Sequence, residues 1–201
     1  MTLSDIELDA LAEVFNVGVG QAAHALSQLA GAMVRLNVPK VTMVSKQGVA
    51  EELIGHGSER ICAVRQEFSG VFNTEAVLMF PVQQSLQLVQ MMVDDDVPLE
   101  QLGEMEQEAL AEIGNILLNS VVSGIADMLH LQFEGSLPQV ELGQVASVLG
   151  ECEEIREDVL SLQIDFAIDA LAIKGFLVFL LDVDSVASLQ SNVRAFLASA
   201  S

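Results

Sequence analysis

Basic residues are scarce in this chain. It has 8 Lys and Arg against 29 Asp and Glu, for a formal net charge of −21. A nucleic-acid surface needs clustered Lys and Arg to neutralise phosphates, and so does a surface drawn to anionic lipid. Neither nucleic acid nor membrane is therefore an expected partner. The acidity favours solubility and can steer a basic patch on another protein. Cysteine is nearly missing as well. Cys62 and Cys152 are too few for a disulfide scaffold, stand outside any Cys-x-x-Cys motif, and are expected to stay reduced in a cytosol. His24, His56 and His130 are scattered, so no zinc spacing exists and no resident metal is expected. The longest apolar run, Gly175 to Leu181, is far shorter than the roughly 20 residues of a membrane-spanning helix. Asp5, Glu7 and Asp9 interrupt the place where the apolar segment of a secretory leader would stand. A soluble, cytoplasmic protein is expected. There is no Gly-x-x-x-x-Gly-Lys loop, no Gly-x-Ser-x-Gly elbow and no dinucleotide fingerprint.

What the chain does have is a duplicated polar pattern on apolar helices. With 51% apolar residues in 201, it can bury a sizeable core. Glu13 and Asn16 are three residues apart, one turn along a single helix face, and Asp9 joins them four residues earlier. Pro39 follows Asn16 by 23 residues. The pattern returns as Glu108, Glu112, Asn115 and Pro138, at an offset of 99 residues (112 − 13, 115 − 16 and 138 − 39). One offset shared by the acid, the Asn and the proline indicates an internal duplication, with repeats 1–98 and 99–201 in one domain.

Each repeat reads as helix, strand, short helix, strand, strand, helix. Ser4 or Asp5 caps a helix running to about Leu29, with Leu8, Leu11, Phe15, Val19, Ala22, Leu26 and Leu29 as its buried stripe. Asp9, Glu13, Asn16 and Gly20 fall on a strip away from the centre of that stripe, with Val17 pointing outward beside Asn16. Gly18 and Gly20 weaken the helix, which suits either a close approach to its backbone or tight helix packing. Gly31 ends it. Val34–Val44 is extended with Pro39 at a bend or edge, and Lys46–Leu53 is a short helix. Arg60–Phe68 and Val71–Phe80 form a hairpin, and Pro81 opens a helix through Val93. Asp94-Asp95-Asp96-Val97-Pro98 is a solvated linker. The second repeat gives a helix over Leu99–Leu129, with Leu110, Leu117, Val121, Ile125 and Met128 buried and Ile116 outward. Pro138 lies in an extended piece. Gln144–Glu151 is a short helix, Val159–Ile168 and Ile173–Val183 are strands, and Ser185–Leu197 is the closing helix. The expected fold is α+β: two such repeats in one pseudo-twofold, largely antiparallel sheet with the two long helices on one face.

A solvated helix face is the ordinary reading of one acid–Asn pair. Two features weigh against it. Asn is a poor mid-helix residue because its amide competes for backbone hydrogen bonds, and the group occurs twice at one offset. An acid and an amide without His or Cys supply neither a good nucleophile nor a base at neutral pH. An amide can hold a water, donating from its nitrogen and accepting at its oxygen. That is how a glutamine positions water in GTP hydrolysis, where orientation and charge stabilisation do most of the catalysis. A convex helix with Glu and Asn suits insertion into another protein's phosphate pocket better than an active site of its own.

Asp9-x-x-x-Glu13-x-x-Asn16 with Pro39, repeated as Glu108-x-x-x-Glu112-x-x-Asn115 with Pro138, resembles the signature of the CheC, CheX and FliY chemotaxis phosphatases. Two copies resemble CheC more than the single-site CheX. The resemblance implies a phosphatase acting on the aspartyl phosphate of a CheY-type response regulator. It implies that Asn16 and Asn115 orient the attacking water, and that Glu13 and Glu112 pair with a regulator lysine. Asp9 and Glu108 complete the signature, Glu108 keeping the charge at a reach one carbon longer. Any Mg²⁺ would be supplied by the regulator, and the receptor deamidase CheD is a further possible partner. Val17 and Ile116, flanking the asparagines, are candidate docking residues. Because Asn16 is expected to be largely exposed, its removal should leave the fold intact. The alternative is a non-enzymatic scaffold or binding module of the chemotaxis and flagellar switch system.

Overall fold

The computed structural model describes residues 3–55, 60–93, 104–149, 158–168, 171–181 and 183–200. The order is α1 (Asp5–Ala30), β1 (Val34–Ser45), α2 (Lys46–Gly55), β2 (Arg60–Gly70), β3 (Thr74–Pro81), α3 (Val82–Val93), α4 (Glu104–Leu129), β4 (Phe133–Gly135), β5 (Gln139–Gln144), α5 (Val145–Val148), β6 (Asp158–Ile168), β7 (Leu171–Leu181) and α6 (Val183–Ala200). The expected linker at 94–98, the start of the second long helix at Leu99, His56, Glu151 and Cys152 lie outside the described residues.

Local chemistry sets the ends of α1. The Ser4 side chain accepts from the Glu7 N–H, and the Glu7 carboxylate accepts from the Ser4 N–H at 2.7 Å, a reciprocal capping box. Gly31, with φ at 61°, ends the helix in the left-handed conformation that favours glycine. Leu11, Phe15, Val19, Ala22 and Leu26 are buried as the periodicity predicts, and Phe15 stacks on Phe179 of β7 with centroids 5.7 Å apart. Each large apolar side chain so buried contributes about 1.5–3 kcal/mol. Leu29 departs from expectation. It is exposed, whereas Ala30 beside it packs against the core.

The seven strands among the described residues join one antiparallel sheet in the order β1-β6-β7-β3-β2-β4, with β5 also on β2. Exchanging the repeats reverses this order onto itself. At its centre Leu78 of β3 faces Leu177 of β7, its own counterpart 99 residues on (177 − 78). The pseudo-twofold relation thus passes through a pair of equivalent leucines. On one face lie α1, α4, α3 and α6 over the larger core. On the other, Val49 and Leu53 of α2 pack with Val145, Val148 and Leu149 over Ile61, Met79 and Phe176.

The long helices cross closely. A Cβ on Gly18 would lie 2.6 Å from the Ser120 carbonyl oxygen, and one on Gly124 would lie 3.1 Å from the Gly18 Cα. Gly18 therefore serves helix packing, whereas Gly20 faces open space. Buried Glu7 ties α1 to α6, accepting from Arg194 Nε at 2.5 Å and from Gln190 Nε2 at 3.2 Å. Burial pushes this carboxyl up, but the Ser4 N–H, Arg194 and Gln190 together outweigh that and hold it at about 2. The thiol of Cys62, buried in β2, is pushed up to about 11 by the same desolvation, which leaves it unreactive. Within α4, Gln107–Leu129 is long and apolar enough to cross a membrane by length and composition, and half of its most apolar stretch is buried inside the fold.

Candidate functional site

The two acid–Asn strips lie on the two long helices, each near its own edge of the sheet. α1 runs over β1 at one edge, and α4 over β2, β4 and β5 at the other. On α1, Asp9 and Glu13 are exposed, Asn16 is half-buried and Val17 is 52% exposed.

Asn16 is engaged by the strand beneath it. Its Oδ1 accepts from the Val38 N–H at 2.9 Å. Its Nδ2 donates to the Val38 carbonyl at 3.3 Å and to the Ala12 carbonyl at 2.9 Å. The expectation of a largely exposed, structurally idle Asn16 is therefore corrected. The cause is Pro39. A proline has no N–H for the ladder, and β1 bulges beside it. Asn37 faces Asp165 and Lys40 faces Gln163, so Val38 and Pro39 share one opposing residue, Ile164. Val38 is only 4% exposed, so its freed backbone groups need a partner. The carboxamide of Asn16 mimics a neighbouring strand and satisfies both.

The second strip differs. Glu108 and Glu112 are exposed and Asn115 is half-buried. Ile116, expected to point outward, is half-buried and packs against the core where α4 approaches β2 closely. Gly114 permits that approach, because a Cβ there would lie 2.4 Å from Val64 of β2. Asn115 Oδ1 accepts from Asn119 Nδ2 at 2.7 Å, and the same Nδ2 donates to the Asn115 backbone carbonyl at 2.8 Å. Among the described residues the Nδ2 of Asn115 has no hydrogen-bond partner.

Half-buried Pro138 also stands at an irregularity, between β4 and β5. Phe68 faces Gly135 and Arg65 faces Gln139, so three residues here oppose two on β2. This bulge is held from the sheet. Gln66 Nε2 donates to the Ser136 carbonyl at 2.7 Å, and Ser136 exchanges hydrogen bonds with the Glu67 backbone. Leu137, the counterpart of Val38, turns outward and is 85% exposed. It stands beside Pro138 as an apolar contact that the sequence pattern did not single out.

Asn119 could have been suspected from sequence, being another mid-helix Asn one turn past Asn115. Gln66 could not, because its role depends on which strand faces the bulge. The second strip can present two exposed carboxylates and an unshared amide N–H₂ to a partner. The first presents its carboxylates with the amide already occupied.

No family model matches the chain. Over 152 residues it is 28% identical to the CheY-P phosphatase CheC of Bacillus subtilis, covering 74% of this chain and 72% of that protein. Over 166 residues it is 24% identical to the flagellar motor switch phosphatase FliY of the same organism, covering 82% of this chain but only 43% of that longer relative. The crystal structure of Thermotoga maritima FliY superposes with a TM-score of 0.79 at 21% identity, covering 98% of this chain and 100% of that one, a likeness of fold. In sequence the chain is similar to CheC and FliY, and in fold to the latter, which supports the CheC, CheX and FliY family.

Proposed function

We propose that this protein is a cytoplasmic phosphatase that hydrolyses the aspartyl phosphate of a CheY-type response regulator. The observation that carries the reading is the unshared Nδ2 of Asn115, on a helix face beside exposed Glu112 and Glu108. α4 docks against the regulator, and Glu112 pairs with a cationic side chain at the rim of its phosphorylated pocket. Asn115 enters that pocket and holds a water in line with the phosphorus, so most of the rate gain comes from orientation. Mg²⁺ belongs to the regulator's phosphorylated aspartate, where it offsets phosphoryl charge. Leu137 and the exposed part of the Asn115 turn add apolar contact. The first strip, Asn16 with Glu13, Asp9 and Val17, forms another site of the same kind. It works only when the amide exchanges its Val38 bonds for the water.

The capture of Asn16 by Val38 favours a second reading for the first half, in which α1 acts as a binding or scaffold element without hydrolysis. One assay addresses both. Decay of a phosphorylated CheY-type regulator is followed with wild type, with Asn16→Ala and with the double variant Asn16→Ala/Asn115→Ala. Acceleration by wild type, lost in the double variant while regulator binding persists, is the expected result. Wild-type hydrolysis by the double variant would end the phosphatase reading. Binding to CheD is checked by direct titration of the two proteins.

A further inference from the structure

We infer that Asn119 is the positioning residue of the second site, fixing which way round the carboxamide of Asn115 is presented. The inference rests on the phosphatase reading of Asn115. A carboxamide's oxygen and nitrogen are easily interchanged, so its orientation has to come from partners. Here the partners leave one solution. One end of the Asn119 amide lies 2.8 Å from the Asn115 backbone carbonyl, which can only accept, so that end must be Nδ2. The same Nδ2 lies 2.7 Å from the end of the Asn115 side chain, which must then be the acceptor Oδ1. The Nδ2 of Asn115 is thereby fixed as the end left unshared.

The far side of Asn119 is fixed too. A Cβ on Gly135 would lie 3.2 Å from Asn119 Oδ1 and 3.0 Å from Gln66 Nε2, so both amides are packed against β4. An ordinary solvated helix residue would have neither restraint. At the matching place on α1 stands Gly20, which meets nothing within 4 Å, so the device belongs to the second site alone.

The test uses the full chain carrying Asn16→Ala, so that hydrolysis reports the second site. In that background Asn119→Leu removes the donor at similar volume. Asn119→Asp keeps the shape but can only accept, which turns the Asn115 amide round. Both should lower kcat about tenfold, the scale of a misplaced positioning group, with KM unchanged. Unchanged kcat in both overturns the inference. Asn115→Ala in the same background separates the two claims: full hydrolysis there sinks the phosphatase reading, whereas its loss beside normal Asn119 variants sinks only the positioning role. A second readout needs no regulator. The side-chain ¹⁵N–¹H₂ signals of Asn115 in the folded protein should move in Asn119→Leu, and signals left in place overturn the inference as well.

Discussion

The two bulges of this molecule pose one problem and receive different answers. In each repeat a proline disturbs the edge of the sheet and frees backbone groups beneath a long helix. In the first, the residue opposite the bulge is Ile164, whose side chain has no polar atom, so the helix must satisfy Val38 and Asn16 is drawn into the task. In the second, Gln66 reaches the bulge from the neighbouring strand through Ser136, and Asn115 is left unclaimed. Gln66 is 2% exposed and its Oε1 has no partner, an arrangement that costs on the order of 1–3 kcal/mol. Where the sheet supplies its own amide the helix amide keeps an unshared end, and where it does not the helix amide becomes a strut. Matching sequence patterns do not guarantee matching duties when the deciding residue lies on another strand.

The comparison breaks most directly at the two asparagines, where effects on activity and stability should cross over. Asn115→Ala should slow regulator dephosphorylation about 100-fold, equivalent to about 2.7 kcal/mol of transition-state stabilisation. It should cost under about 1 kcal/mol of fold stability, since only the bond to Asn119 is lost. Asn16→Ala should slow the reaction no more than about twofold. It should lower stability by about 2–3 kcal/mol, because Val38 N–H and C=O are left buried without a partner. Phosphate release and urea midpoints on the same samples read both quantities. Equal losses of activity would mean that the Val38 bonds exchange freely and the sites are equivalent.

Next in size is Gln66→Leu. The Ser136 carbonyl loses its sheet-side donor, and the Asn119 amide, packed beside Gln66 against β4, can turn to it and leave Asn115 unpositioned. Activity in the Asn16→Ala background should fall about fivefold towards the level of the first site, the kind of loss a displaced positioning group produces. Stability should change by less than about 1 kcal/mol, because a lost hydrogen bond is offset by removal of an unsatisfied oxygen. An unaltered rate would show that the sheet-side amide does not govern Asn115.

Much of this was legible in the sequence. Helix α1 runs Asp5–Ala30 against an expected end near Leu29, and β1, α2, β2 and β6 lie within a residue or two of their expected limits. Capping and periodicity are local and survive folding. The largest shortfall among the described elements is β3, which begins at Thr74 where the strand was expected from Val71. The doubled acid–Asn–Pro pattern was legible too, because one offset recurs. The capture of Asn16 and the sparing of Asn115 were not, since they turn on residues 164 and 66 respectively, set by strand order rather than by spacing. Nor was the role of Glu7, which closes the capping box of α1 and also meets Arg194 across 187 positions of sequence.

Glu7 sharpens the comparison by setting how firmly the first helix is anchored. Its carboxyl sits at about 2 in the folded protein against an ordinary value of 4.5. A depressed folded value stabilises above the unfolded one, so the contribution is complete above about pH 4.5 and is lost as pH falls towards 2. Arg194 is mostly exposed, which reduces the effect to about 1–2 kcal/mol. Urea midpoints of wild type and Glu7→Gln should differ by that amount at pH 7 and converge as pH falls below 4.5. A constant gap down to pH 3 would show that the ion pair is not its source.

The smallest expected effect comes from Gly20→Asn, and it separates two explanations of the first site. Position 20 stands to Asn16 as 119 stands to Asn115, and a side chain there meets no obstruction within 4 Å. Asn and Gly differ by only a few tenths of a kcal/mol in helix propensity, so stability should scarcely move. The new amide can donate to Asn16 Oδ1, which has a second lone pair beyond the one taken by the Val38 N–H. It cannot release the Asn16 Nδ2 from the carbonyls of Ala12 and Val38. If those bonds silence the first site, Gly20→Asn in an Asn115→Ala background should raise hydrolysis by less than about twofold, under about 0.4 kcal/mol. Recovery of near wild-type hydrolysis would instead mean that the first site lacked only an orienting amide, and that the strand beneath it was never the restraint.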